Sequence, residues 1–525
     1  MALTWFNWLL SFLPILLVIV LMIFLKWSGT RAAAAAWFTA ALLAFLFFGV
    51  DWQLIAWSQA KAFLLSFDIL WVVWGAIMLY HLANEGGTIK LIGDLVPLWM
   101  KDRTLQILML TIVLTSFMQG MGGFGVPVAI CAPILFSMGF NALDAVVMAC
   151  LGHAWSVSFG TIGAAFNALV AVSAYPAQQL APDSAALLGL AIFPCALSVL
   201  HISQSWKGIR HGLLAVLLLT AGMGLTQFGM ATHGLGNVSV FGAAIVGAGL
   251  LFLIRRLSVY KAEQPSAVAG QNSVRSLSGR LVLVSMIPYI ILVSLGFLTV
   301  TIAPLKSVLE SWQISFVFPK LTTSLGWSVS AGHGKDIQPL MHSGTLSFLA
   351  ILLGGLVYAS NGLLRKGSPK RILERSVHTA VEPSLGILTM VGVSQIMSHS
   401  GMTSILAKGL GEALSSFLYP AVVPFIGMLG AFLTGSNNNS NVLFAPLHME
   451  AASILRLSIP LMLAAQTAGA SIGSVMTPAK VIVGCSTIGL VGKEGGVLKK
   501  LLLYDLLIVF FIAVFVLVWS WLGGG

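Results

Sequence analysis

Apolar runs long enough to cross a lipid bilayer recur from one end of this 525-residue chain to the other. Examples are residues 9–25, 32–50, 63–80, 213–229, 241–254, 281–300, 346–359 and 501–522. A spanning helix needs about 20 mostly apolar residues, and about 12 to 14 stretches meet that description. Inside hydrocarbon every backbone N–H and C=O must find a partner within the protein, so only helices and closed barrels survive there. Barrel strands alternate apolar and polar side chains. These runs are apolar throughout, so the expected fold is an all-α polytopic membrane protein. Charged residues make up 8% of the chain and mean hydropathy is +0.97. An ordinary soluble domain carries about 25% charged residues, which excludes that class.

The formal net charge of +11 points to the bilayer rather than to nucleic acid. Basic residues gather in short loops: Lys26/Arg31, Lys101/Arg103, Lys207/Arg210, Arg255/Arg256 with Arg275/Arg280, and the group Arg365, Lys366, Lys370, Arg371 and Arg375. Excess Lys and Arg marks cytoplasmic loops. Placing each cluster inside gives one consistent weave with the N-terminus outside. No positive charge precedes the first apolar run and no small-residue cleavage site follows it, so it is not expected to be a cleaved leader. Cys131, Cys150, Cys195 and Cys485 lack motif spacing and read as small buried hydrophobes.

Two polar, glycine-dense interruptions break this pattern. The first is Phe117-Met-Gln-Gly-Met-Gly-Gly-Phe-Gly-Val-Pro127, and the second is Phe432-Leu-Thr-Gly-Ser-Asn-Asn-Asn-Ser-Asn441. Backbone that leaves the helix at membrane depth must be buried in protein or line a watery cavity. Two such breaks in corresponding places are a transporter's sequence pointer to its substrate site. The correspondence is close. From Gly87 to Gly120 is 33 residues and from Gly401 to Gly435 is 34; from Gly120 to Gly160 is 40 and from Gly435 to Gly473 is 38. The expected organisation is an N-terminal half (1–257), a polar connector (258–280) and a C-terminal half (281–525). Basic residues follow the span before Gly87 but precede the span before Gly401. The two halves are therefore expected to be inverted repeats with discontinuous or re-entrant helices. The semi-polar stretches 88–100 and 403–416 are expected to lie along the interfaces.

A helix that starts after such a break points its positive end and its free N–H groups at the cavity, which suits a carboxylate. Gln119, Gly120, Gly122, Gly123, Phe124 and Gly125 are the candidates in the first break, with Pro127 fitted to a first helical turn. Thr434, Gly435, Ser436, Asn437, Asn438, Asn439, Ser440 and Asn441 are those in the second, offering donors and acceptors without net charge. A second polar pair, residues 155–163 and 466–478, adds Ser158, Thr161, Gln466 and Ser471. Taken singly, a glycine run also serves close helix packing, and Ser or Thr also bonds its own helix. His153 and Lys480 are the ionisable candidates for proton coupling. His448, Glu450 and Arg456 share one segment. Asp505, close after Lys499 and Lys500, reads as interfacial, and Asp68 and Asp144 read as lying near span ends. No nucleotide-binding P-loop, zinc-type Cys/His spacing or nucleophile elbow occurs, so no cofactor, metal or enzymatic activity is expected. The sequence does not set an oligomeric state; an oligomer is compatible with it.

At these residues the chain resembles the lactate permease family, which includes L-lactate and glycolate permeases. The resemblance covers nearly the whole chain and is most specific at Gly120-Met-Gly-Gly-Phe-Gly-Val-Pro-Val-Ala-Ile130, Gly152-His-Ala-Trp-Ser-Val-Ser-Phe-Gly160 and Leu433-Thr-Gly-Ser-Asn-Asn-Asn-Ser-Asn-Val-Leu-Phe444. It implies secondary uptake of a small 2-hydroxymonocarboxylate with a co-transported proton across a bacterial inner membrane. Where better-known members carry Glu before the first glycine motif, this chain has Gln119. Where many carry Asp in the second break, it has Asn437. Both departures remove a carboxylate from the expected site and raise the interest of His153. Coupling to sodium stays open.

Overall fold

The structure, a computed structural model, describes residues 3–23, 25, 27–88, 91, 100–121, 125–260, 279–333, 337–490 and 493–523. The expected interfacial stretch 88–100, most of the connector 258–280, and Gly122, Gly123 and Phe124 of the first break lie outside them.

The all-α expectation holds. The N-terminal half begins with α1 (Trp5–Ile23), α2 (Gly29–Phe47) and α3 (Trp52–Glu85). Side chains close the free N–H groups at several starts: Ser28 accepts from the Arg31 N–H and Asp51 from the Leu54 N–H. Next come α4 (Arg103–Leu108), a π-helical turn (Met109–Leu114), α5 (Thr115–Met121) and α6 (Val126–Ser137). These do not run on as one span. The Cys131 thiol reaches the Leu110 carbonyl, and Arg103 donates to the Met138 carbonyl at 2.5 Å while lying over the Phe140 ring. Residues 103–138 are therefore a helical hairpin, closed at its base and turning at Gly125, which adopts a left-handed φ of 88°.

The span that follows is bent. Helices α7 (Ala142–Gly152) and α8 (Gly160–Ser173) meet at 52° across an unwound segment. Then α9 (Ala177–Met230) and α10 (Ser239–Ile254) make three antiparallel limbs. Ser205, at φ 55° and ψ −150°, folds α9 back on itself, so a methyl group added to Gly189 would stand 3.0 Å from the Gly224 Cα. Lys207 and Arg210 lie just past that turn.

The C-terminal half contains α11 (Gly279–Thr301), α12 (Ala303–Glu310), α13 (Ser343–Ser360) and α14 (Ser368–Ser400). Between α12 and α13 lie four two-residue strands, β1 (Val317–Phe318), β2 (Leu321–Thr322), β3 (Ser328–Val329) and β4 (Gly332–His333), paired antiparallel as β1–β4 and β2–β3. After α15 (Met402–Ala413) comes a second hairpin, α16 (Tyr419–Thr434) and α17 (Asn437–Leu455), turning at Gly435 with φ 75°. The Ser440 hydroxyl donates to the Gly427 carbonyl, and the Tyr419 hydroxyl meets His448 nearer the base. The chain ends with α18 (Ile459–Gly473), α19 (Pro478–Thr487) and α20 (Glu494–Leu522).

The repeat is visible in this order: a long helix, a hairpin, and a span broken near its middle occur once in each half. The long helices α3 and α14 pack together antiparallel. Ser58 bonds His399, Trp74 bonds Ser384, and Glu85 bonds Arg371. Equivalent ends thus lie at opposite faces, as inversion requires.

Several expectations need correction. By length and composition, seven described helical stretches can cross a membrane, or eight if the bent pair counts as one. One of these, Ala177–Ile254, is the three-limbed stretch, while Val126–Ser137 and Tyr419–Phe432 are shorter apolar limbs of hairpins. The 12 to 14 apolar stretches are therefore a mixture of full crossings and limbs that turn back. Asp68 is buried midway along the 34-residue α3 and bonded at 3.1 Å to His342, the residue that caps the start of α13. Asp144 does sit in a first helical turn, paired with Lys500. Asp505 is fully buried in the protein rather than exposed near the start of α20. In α15, expected at the interface, Met402 to Ala407 are buried. All four cysteines are buried and free.

Candidate functional site

The two hairpin tips meet one unwound segment. Residues 153–163 leave the helix between α7 and α8, and Thr161, Ile162 and Gly163 adopt left-handed φ values of 51°, 56° and 73° in succession. For β-branched Thr and Ile that conformation costs roughly 1–2 kcal/mol each. The Phe166 N–H reaches back to the Ser158 carbonyl at 3.0 Å and closes the turn.

Ser158 and Thr161 serve different hairpins. Asn437, the first residue of α17, donates its amide to Ser158 Oγ at 2.9 Å. Ser158 Oγ donates in turn to the Thr467 carbonyl at 3.0 Å. Asn441, one turn further along α17, donates to the Ala165 carbonyl at 3.0 Å and to Thr467 Oγ1 at 2.8 Å. From the other hairpin, Gln119 donates to Thr161 Oγ1 at 3.3 Å. Ser471 Oγ donates to the Ala154 carbonyl at 2.6 Å and joins the two broken spans. Residues far apart in sequence are thus held in one buried polar layer.

The balance of donors and acceptors here is uneven. The side-chain N–H groups of Asn437, Asn439 and Asn441 are committed to protein oxygens. Their Oδ1 atoms, and Gln119 Oε1, are buried with no hydrogen-bond partner among the described residues. Buried polar atoms nearly always have partners, so four orphaned acceptors in one layer need an explanation. Free donors come instead from the main chain. Neither Gly125 at the start of α6 nor Ser436 at the start of α17 offers a side-chain cap, so the first N–H groups of both helices stay open.

Other sequence candidates take structural places. Gly120 packs within α5 against the Phe241 ring. Thr434 Oγ1 donates to the Gly430 carbonyl at 2.7 Å and stiffens the end of α16. Gly435 is exposed, and Ser436 and Asn438 are half-buried, so the tip is the open edge of the layer. Ser440 and Gln466 belong to a chain that runs away from it. Tyr419 OH donates to His448 Nδ1 at 2.7 Å, His448 Nε2 donates to Gln466 Oε1 at 3.0 Å, and Gln466 Nε2 donates to Ser440 Oγ at 3.0 Å.

His153 caps α7 and is fully buried. Its Nδ1–H donates to the Ala149 carbonyl at 2.8 Å, which leaves Nε2 as an unpartnered acceptor. Lys480, in the first turn of α19, donates to Ser474 Oγ at 3.3 Å. Sequence reasoning passed over Thr467 as a residue of its own, although it joins Ser158 to Asn441. Its signal lay in the polar run from Gln466, where small Ser and Thr residues were discounted as bonding their own helix.

Residues 7–523 match the family model described as L-lactate permease. The L-lactate permease of Halalkalibacterium halodurans is 26% identical over 97% of this chain and 95% of its own. The E. coli glycolate permease GlcA is 23% identical over 98% of this chain and 96% of its own. Among solved structures, the Alcanivorax borkumensis YdaH transporter aligns at a TM-score of 0.46 and 13% identity, covering 86% of this chain and 85% of that one. The apolar helices and the bacterial relatives make this a multi-pass protein of a bacterial inner membrane. The chain belongs to the L-lactate permease family.

Proposed function

We propose that this chain is a secondary transporter that moves a small 2-hydroxymonocarboxylate, lactate or glycolate, together with a proton, by opening one central site to each face in turn. The observation that carries this reading is the convergence of both hairpin tips on Ser158 and Thr161. The family match and the names of the relatives supply the substrate class. In this reading the halves 1–257 and 281–525, joined by 258–280, each contribute one hairpin and one broken span.

The chemistry follows from the uneven layer. The open N–H groups at the starts of α6 and α17, with the positive ends of both helix dipoles, receive the carboxylate. An orphaned amide oxygen accepts the substrate's hydroxyl proton. No bond in the substrate is made or broken, so the site needs no nucleophile. With Gln119 and Asn437 in place of acids, neither position puts a formal negative charge beside the anion. One anion crossing with one proton transfers no net charge.

A second reading has one specific observation in its favour. Orphaned amide oxygens also suit sodium, a hard cation that takes oxygen ligands in the broken helices of carriers. Uptake by purified protein in proteoliposomes, with pH and sodium gradients imposed separately, decides between the two. The proposal expects accumulation of lactate or glycolate under an inward proton gradient alone, without dependence on membrane potential. Accumulation that requires sodium overturns the proton half of it, and no saturable uptake or counterflow of either acid overturns the substrate half.

A further inference from the structure

Asp505 lies in α20 with no solvent exposure, and neither carboxyl oxygen has a hydrogen-bond partner among the described residues. Its neighbours in sequence are accounted for: Lys500 pairs with Asp144, and Tyr504 bonds His201 at 2.8 Å. One residue further along, helical phase turns Asp505 away from that polar face and into the packed interior.

The surroundings are specific. Helix α20 packs against α16 of the second hairpin, against the broken span α18–α19, and against α7, which leads into the unwound segment. Cys150 on α7 and Cys195 on α9 are buried and free, and Lys480 on α19 is bonded to Ser474. The other titratable groups on these elements are Asp144 and His201, already paired with Lys500 and Tyr504, Tyr419, bonded to His448, Cys485, and, on α9, which also packs on α20, Asp183, Lys207, Arg210 and His211, the last paired with Asp102. Glu494 and Lys499 stand at the start of α20, more than a turn away. An isolated carboxylate is very costly to keep ionised out of water, whereas the neutral acid is tolerated. Ionisable groups at membrane depth mark ion and proton paths.

We propose that Asp505 is the group that carries the co-transported proton, in place of the carboxylates absent at positions 119 and 437. The proposal rests on the proton-coupled reading above. On the loading side a proton from water forms the carboxyl O–H bond, and the neutral group crosses with the bound anion. On the release side that O–H bond breaks and the proton returns to water. No electron moves.

The experiment compares wild type, Asp505→Asn and Asp505→Glu in proteoliposomes, with lactate and glycolate as probes. Counterflow exchange needs no net proton movement; proton-driven accumulation does. An inward gradient of one pH unit supports up to about tenfold accumulation by the wild type, since one unit is one factor of ten in proton activity. Asp505→Asn is expected to keep exchange and lose accumulation; Asp505→Glu is expected to restore part of it. Accumulation by Asp505→Asn at the wild-type ratio overturns the proposal. Wild-type uptake driven by sodium instead of protons overturns it too, but leaves the substrate class standing. If the wild type moves neither acid, the substrate reading fails, and infrared difference spectra then decide on Asp505 alone. A protonated-carboxyl C=O band present in wild type and missing from Asp505→Asn supports the assignment. Its absence from wild type removes it.

Discussion

Asn437 shows how a single residue sets the character of the site. Its amide N–H is tied to Ser158 while its carbonyl oxygen has no partner among the described residues, so in the proposed site it is an acceptor without charge. Asn437→Asp keeps the shape and adds a negative charge beside the anion. Its uptake is expected to fall at neutral pH and recover as the acid is protonated, so the ratio of wild-type to mutant uptake should shrink from about pH 7.5 to about pH 4.5. Initial rates across that range are the measurement. Ser158→Ala removes a hydroxyl that joins three elements; a loss of roughly 1–3 kcal/mol is expected from the groups it leaves unpaired, read as a lower melting temperature in detergent. At this scale the sequence was informative about residue types and poor about directions. The Gly and Asn runs marked the two hairpin tips, but not which atoms of Asn437, Asn439 and Asn441 were already used. That Asp505 is packed inside the protein was not legible beside Lys499 and Lys500; the 100° step from Tyr504 to Asp505 turns it inward.

Among the elements, the hairpins carry the argument. Each break was legible because glycine and polar residues cannot be explained as lipid-facing helix. That each break is a turn-back tip was not legible. It depends on cross-limb contacts such as Arg103 with Met138 and Ser440 with Gly427, which spacing alone cannot encode. The tips need glycine for conformation, and the limbs need it for closeness. Gly435, at φ 75° and in open space, should tolerate alanine at a cost of about 1–2 kcal/mol. A methyl group at Gly469 would collide with the Pro424 carbonyl on the facing limb. Gly469→Leu should therefore force α18 from α16, and Gly435→Ala should not. Size-exclusion profiles of the two detergent-purified variants check this: an aggregated peak for the first and a monodisperse one for the second.

For the whole molecule, the inverted order of parts was readable from loop charge, and the antiparallel pairing of α3 with α14 agrees with it. That pair is fastened along its length, from Ser58–His399 at one end to Glu85–Arg371 at the other. In the proposed alternating exposure it is the stationary frame, against which the hairpins and broken spans would shift. Asn438 is half-buried at the tip and the native cysteines are buried. A thiol at Asn438→Cys is thus expected to react with an impermeant maleimide from either side of the membrane, in separate vesicle populations, and to be protected by substrate. Labelling from one side only would rule out alternating exposure.

The hairpins also fix how the machine responds to voltage. No Asp, Glu, Lys or Arg occurs from Leu105 to Ser137 or from Tyr419 to Leu447. The two limbs of each hairpin run in opposite directions, so their macrodipoles largely cancel. Displacing such a unit through the membrane field moves almost no charge, where each elementary charge would otherwise cost about 2.3 kcal/mol per 100 mV. Residues 105–137 and 419–447 are electrically silent, and the formal charges on the hairpins and broken spans are left to Arg103, Glu450, Asp144 and Lys480.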